Sequence, residues 1–342
     1  MPYTYDFHGI LSVETTEKLL GTATHRYFLT DESLDPDVRV ETDADFDVDT
    51  ADLQRHDLWF YGADGRDLVY YEDTLFGRTD KVLLEDLKKE TTTIRANTID
   101  RITPRSRGSV SDLLEVVIDY KVIQRGYTTL HAGALSHNGR GVLLGGFPNV
   151  GKTLSTLSLL DVGFSYLSDD NTIIGADGTV SAHPSTSSVS YRDFRRFFGP
   201  EEFGHIGYYG RLARLFPMQF AIAERVLDHP SLYLPDVDGV TQADSADAMV
   251  ACTLEIGPRE TEEVAADTLA RKLITSTDYS RPRPWQHPFV WVYAYFNDLD
   301  VDAVRNEERR VVRSFLSDAS CYRLACEERD WDDVLEGIVG GL

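Results

Sequence analysis

The chain has 342 residues, 42 % of them apolar, which suffices for one large domain or two of ordinary size. Acidic residues outnumber basic ones 57 to 34, and the net charge of −23 argues against a DNA or anionic-membrane partner, since either would want a basic face. With 17 Tyr, 16 Phe and 4 Trp the composition excludes a disordered chain.

Residues 1–110 form the first expected domain, rich in β-structure. Apolar or alternating runs at residues 25–29, 58–61, 67–71 and 81–84 are separated by turn signals such as Asp64-Gly65. The acidic stretch 35–52 suits an exposed connection or a solvated edge. His8 and His25 have no partner group at motif spacing and are expected to be structural. Residues 104–111 are the expected boundary, and residues 111–342 the second domain. A helix is expected at 111–125, SDLLEVVIDYKVIQR, capped by Ser109 or Ser111 and ended by Gly126.

Residues 128–135, TTLHAGAL, suit a strand that turns at Asn138-Gly139 and pairs with the apolar run 141–144. The next stretch, GFPNVGKT at 146–153, fits G-x-x-x-x-G-K-[ST], the phosphate-binding loop. Residues 154–160 have helical spacing, Gly163 stops that helix, and the run 164–167 delivers Asp169 and Asp170 to its C-terminal end. The chemistry explains this order. Glycines let backbone N–H groups curl around phosphate, and the following helix directs its positive end at the same point. Nucleotide contacts are therefore expected from Gly146, Phe147, Pro148, Asn149, Val150, Gly151, Lys152, Thr153 and Leu154. Lys152 would meet the β- and γ-phosphates, and the Thr153 hydroxyl would ligate Mg²⁺. An acid at the end of a neighbouring parallel strand can hold the metal or take a proton from an acceptor hydroxyl. Strand, loop, helix and strand would make a βαβ unit with the ligand beyond the strand ends. His131 would approach from the side, or serve as a hydrogen-bonded core histidine.

HAGAL, GVLLGGFPNVGKT and GFSYLSDD together resemble the C-terminal catalytic domain of HPr kinase/phosphorylase, which is related to the ATP-dependent phosphoenolpyruvate carboxykinases. The resemblance spans residues 127–174 well and the remainder loosely. It implies ATP and Mg²⁺ at the loop, Asp169 as general base, Asp170 as metal-side carboxylate, and His131 positioning substrate or phosphate. An oligomer is implied as well. The acceptor-recognition segment of the HPr enzymes has no equivalent here. In its place stands SAHPSTSSVSYRD, in which His183 and Arg192 are the groups able to contact phosphate. GFPNVGKT also looks like the loop of Obg- and Era-type GTPases, but the N-K-x-D that reads guanine is missing, and Asp236–Gly239 (D-x-x-G) sits in a loop-like context.

Further along, residues 191–220 gather Arg192, Arg195, Arg196, Arg211 and Arg214 among aromatics. They suit either a pocket for a second anion or helical packing with paired carboxylates. A strand is expected at 249–256 and a helix at 261–275. Residues 271–284, with Arg271, Lys272, Arg281 and Arg283, suit a solvated linker or a lid closing on the triphosphate. A last strand (320–326) and helix (331–339) close the chain.

Lysine is confined to positions 18, 81, 88, 89, 121, 152 and 272; acidic excess with so little lysine points to a protein adapted to concentrated salt. Cys252, Cys321 and Cys326 show no C-x-x-C spacing and suit a reducing compartment. No apolar run nears the ~20 residues of a membrane helix, and MPYTYDFHGI is too polar for a signal peptide, so a cytoplasmic protein is expected. The expected fold is α/β, a carboxykinase/HPr kinase-like phosphate-loop domain preceded by a β-rich α+β domain. The expected function is an ATP- and Mg²⁺-dependent kinase acting on an unidentified hydroxyl-bearing acceptor. A nucleotide-gated regulatory protein is the alternative, and a GTPase the minor one.

Overall fold

The structure is a computed structural model, which describes residues 2–42, 46–97, 109–188, 231–327 and 331–340. The chain divides into two compact units, Met1–Thr128 with Pro282–Arg309, and Thr129–Arg281 with Arg310–Leu342. Each carries a multistranded mixed sheet with helices, so the class is α/β.

The first unit contains β1 (Tyr3–Phe7), β2 (Leu11–Thr15), α1 (Thr22–Phe28), β3 (Leu29–Thr30), β4 (Val38–Thr42), β5 (Gln54–Arg55), β6 (Phe60–Gly62), β7 (Leu68–Leu75), β8 (Arg78–Glu85), β9 (Thr92–Ala96) and α2 (Val110–Gln124). The sheet order is β3-β1-β2-β4-β9-β8-β7-β6-β5. Pairing is parallel for β2–β4 and β4–β9 and antiparallel elsewhere along it. Alternation creates the strands: Leu11, Val13 and Thr15 of β2 are buried, while Ser12 and Glu14 are half-exposed. Residues 25–29, expected as part of a β-run, are instead the end of α1 and the start of β3. Local β-propensity there yields to tertiary packing, since Phe28 stacks on Phe7 at 4.2 Å.

A capping box starts α2. The Ser109 hydroxyl accepts from the Asp112 N–H (3.1 Å), and the Asp112 carboxylate accepts from the Ser109 N–H (2.7 Å). The helix packs on β2 and β4 and buries Leu113, Leu114, Val116, Val117, Val122 and Ile123. The division between the units therefore falls after Thr128 rather than near residue 110, because α2 completes the core of the first sheet.

β10 (Tyr127–Leu130) carries the chain across the division, and in the second unit β11 (Ala132–His137) and β12 (Arg140–Gly145) lead to α3 (Lys152–Asp161) and β13 (Ser165–Ser168). Then come β14 (Thr172–Gly175), β15 (Thr179–Ser181), the ribbon of β16 (Ser187–Ser188) with β17 (Ser231–Leu232), β18 (Ser245–Glu255), β19 (Glu260–Glu263) and α4 (Ala266–Ser280). The sheet order is β10-β14-β15-β18-β12-β11-β13, with β20 (Ser320–Ala325) joining β18 to β19. The expected neighbouring parallel strand is corrected in one respect: β11 lies between β12 and β13, antiparallel to both. The strand bearing the loop and the strand bearing the Asp pair thus share a direction without touching. The helix expected at 261–275 begins later. Residues 260–263 pair with β20, and α4 runs on to Ser280 through most of the stretch expected to be a linker or lid.

The chain then enters the first unit with α5 (Pro288–Asn297), which packs on β6 and β7, and with the start of α6 (Val301–Leu316). Arg283 is fully buried there, donating to Asp119 (2.9 Å) and Glu308. The chain ends in the second unit with β20 and α7 (Asp332–Gly340), which packs on α3. Among the described residues no helix is long and apolar enough to cross a membrane.

Candidate functional site

The site grows from the C-terminal end of β12. Backbone turns fold the next six residues into a loop: φ is +143° at Gly146, +65° at Asn149 and +108° at Gly151. Gly146 is also sterically required. A Cβ there would lie 2.8 Å from the Leu254 carbonyl oxygen and 2.9 Å from Val150 Cγ2. Val150 is buried, whereas Phe147, Pro148 and Asn149 form an exposed tip.

Lys152, the first residue of α3, turns back over the loop and is only 5 % exposed. Its ammonium donates to the carbonyls of Gly146 (3.1 Å) and Phe147 (3.2 Å) and stands 3.1 Å from His131 Nε2. Burial holds its pKa below the usual lysine range, against the pull of the Asp170 and Asp169 charges. His131 is pushed down to about 4, mainly by burial and next by the Lys152 charge. The ring is therefore neutral at pH 7. Its Nε2 accepts from Lys152, which places the ring proton on Nδ1.

Thr153 follows, and its hydroxyl donates to Asp169 Oδ2 at 3.0 Å. Asp169 sits one residue past β13, fully buried; its Oδ1 makes no hydrogen bond of good geometry among the described residues, although the Ser187 hydroxyl is near enough to favour its charged form. Burial raises this carboxyl to about 6, and the Asp170 charge adds to the rise. Asp170 is half-buried, and its charge acts on both His131 and Lys152. Gly133 lets β11 come close: a Cβ there would meet Thr156 Oγ1 at 3.1 Å and the Asp169 carbonyl oxygen at 3.3 Å. Lys152, Thr153, Asp169, Asp170 and His131 are thus brought together, and half-buried Leu154 continues α3.

His183 follows β15. Arg192 and the whole arginine cluster at 191–220 lie outside the described residues. Other neighbours went unread in the sequence. The last turn of α4 reaches the site three times: Thr277 Oγ1 accepts from the His131 N–H (3.0 Å), the Tyr279 ring packs edge-on against Phe147 (5.3 Å), and Arg281, at its C-cap, donates to Asn171 Oδ1 (3.3 Å). Only the positive charge of Arg281 in an acidic chain signalled it, and that signal was shared with Arg271, Lys272 and Arg283.

Among the described residues no group of three or more His, Cys, Asp or Glu is arranged to hold a metal. The Thr153 hydroxyl and the half-buried Asp170 carboxylate nevertheless suit Mg²⁺, which takes many of its ligands from phosphate and water.

No family profile matches this chain, and no curated protein does. Among solved structures, the Hpr(Ser) kinase/phosphatase from Coxiella burnetii matches 40 % of this chain and 78 % of its own length, at 16 % identity and a TM-score of 0.21. A score that low carries no argument, so the functional reading rests on the residues themselves.

Proposed function

We propose that this chain binds ATP with Mg²⁺ on residues 146–154 and transfers the terminal phosphoryl group to a hydroxyl-bearing acceptor, a small molecule or a protein serine, as an HPr kinase-like phosphotransferase. The observation that supports this most is the Thr153–Asp169 hydrogen bond, which ties the loop to the acidic pair at 3.0 Å. Lys152 and the loop amides would neutralise the outer phosphates, with neutral His131 holding the ammonium in place. Thr153 and Asp170 would hold the metal, which when bound spreads the charge of the outer phosphates. As the acceptor oxygen bonds to phosphorus and the bridging oxygen departs on ADP, Asp169 Oδ1 would take the hydroxyl proton. Its raised pKa suits a base working near neutrality.

The test is Asp169→Asn. Transfer of labelled phosphate should fall by at least about 100-fold, the scale of lost general-base catalysis, with ATP affinity by calorimetry nearly unchanged. Unaltered turnover would instead leave a nucleotide-gated binding protein. Lys152→Ala should weaken nucleotide binding under either reading.

A further inference from the structure

We infer that Arg281 is a second phosphate-binding cation, placed to contact the outermost phosphate of a bound nucleoside triphosphate; this rests on the nucleotide reading above. The charge balance of the site asks for such a group. Lys152 is the one cation on the loop, and it faces two carboxylates, Asp169 and Asp170. A triphosphate brings several further negative charges. The loop amides and one ammonium leave the outer end of that chain beside the acidic pair, and a cation there removes the repulsion.

The contacts of Arg281 bring it toward that end. The Lys152 ammonium marks where the outer phosphates lie. The Gly146 and Phe147 carbonyls and His131 Nε2 all stand within hydrogen-bond distance of it. Arg281 lies near His131 and the acidic pair: its charge adds to the lowering of that ring's pKa, and its Nη1 donates to Asn171, the residue after Asp170. His131, Thr153, Asp170, Asn171 and Arg281 are all half-buried, so this part of the site is partly open to a ligand. The arginine is also held in advance. Thr277 and Tyr279, on the same helical turn, are fixed to His131 and Phe147, and Asn171 orients the guanidinium. A planar fork held this way suits the non-bridging oxygens of a terminal phosphate.

The experiment compares Mg·ATP and Mg·ADP binding by calorimetry in the full chain. ADP lacks the phosphate that Arg281 would touch. Arg281→Ala should therefore weaken ATP about 10- to 100-fold, as loss of a charge-assisted hydrogen bond predicts, and ADP by less than about threefold. Arg281→Lys should recover part of the ATP affinity, and Asn171→Ala should lose a smaller part with the same ATP-over-ADP bias. Lys152→Ala should weaken both nucleotides. Thermal unfolding of each variant identifies those that fail to fold, and the milder Arg281→Lys and Asn171→Ala then carry the comparison. Equal losses for ATP and ADP, or no loss for either, would overturn the role of Arg281. If the unsubstituted chain binds neither nucleotide, the nucleotide reading itself fails, a result distinct from either outcome for the arginine.

Discussion

His287 shows how one side chain can set acid sensitivity. It is 5 % exposed in the first unit, and neither ring nitrogen has a hydrogen-bond partner among the described residues. Burial lowers its pKa from 6.5 to about 4, while the Asp112 carboxylate pulls the other way. The unfolded chain therefore binds more protons than the folded one between those values. The contribution to stability is fully present above pH 6.5 and is lost as pH falls toward 4, by roughly 3 kcal/mol at most. Urea midpoints at pH 7 and pH 5 should differ, and His287→Gln should shrink that difference. At the site, the loop, Lys152, Thr153 and the Asp pair were legible because a phosphate loop restricts residue type at each position. Thr277 and Asn171 were not, and Arg281 stood out only as one of four cations on a possible lid, because what these residues touch depends on where distant segments meet in space, which no local spacing encodes.

Among the elements, those with strong local signals were readable: α2 from its cap and apolar spacing, and β12 and α3 from the loop between them. Elements defined by distant partners were not. Residues 260–263 of β19 are exposed and polar, and only their pairing with β20 makes them a strand. Helix α5 is apolar on several faces, PFVWVYAYFN, with no clear helical period, and its packing on β6 and β7 decides its form. That packing is close. A Cβ on Gly62 of β6 would lie 2.3 Å from Cδ2 of the buried Phe296 ring. Gly62→Ala should cost about 1–3 kcal/mol by overpacking, measured by chemical denaturation. If the variant is as stable as the parent, β6 and α5 are not in contact this close.

Across the whole molecule the dominant feature is charge. A net charge of −23 repels itself in dilute buffer, and the screening length shortens from about 10 Å at 0.1 M salt to about 3 Å at 1 M. We therefore propose adaptation to concentrated salt. The melting temperature should rise by several degrees between 0.1 and 2 M KCl, and a flat response would remove the proposal. Chain connectivity has a different consequence. The first unit needs residues 282–309 to be complete, and the second needs residues 310–342. On the ribosome, then, the amino-terminal sheet has all its strands early, but the unit around it stays open until residues 282–309 have been made. Neither unit can be obtained by trimming the gene from one end.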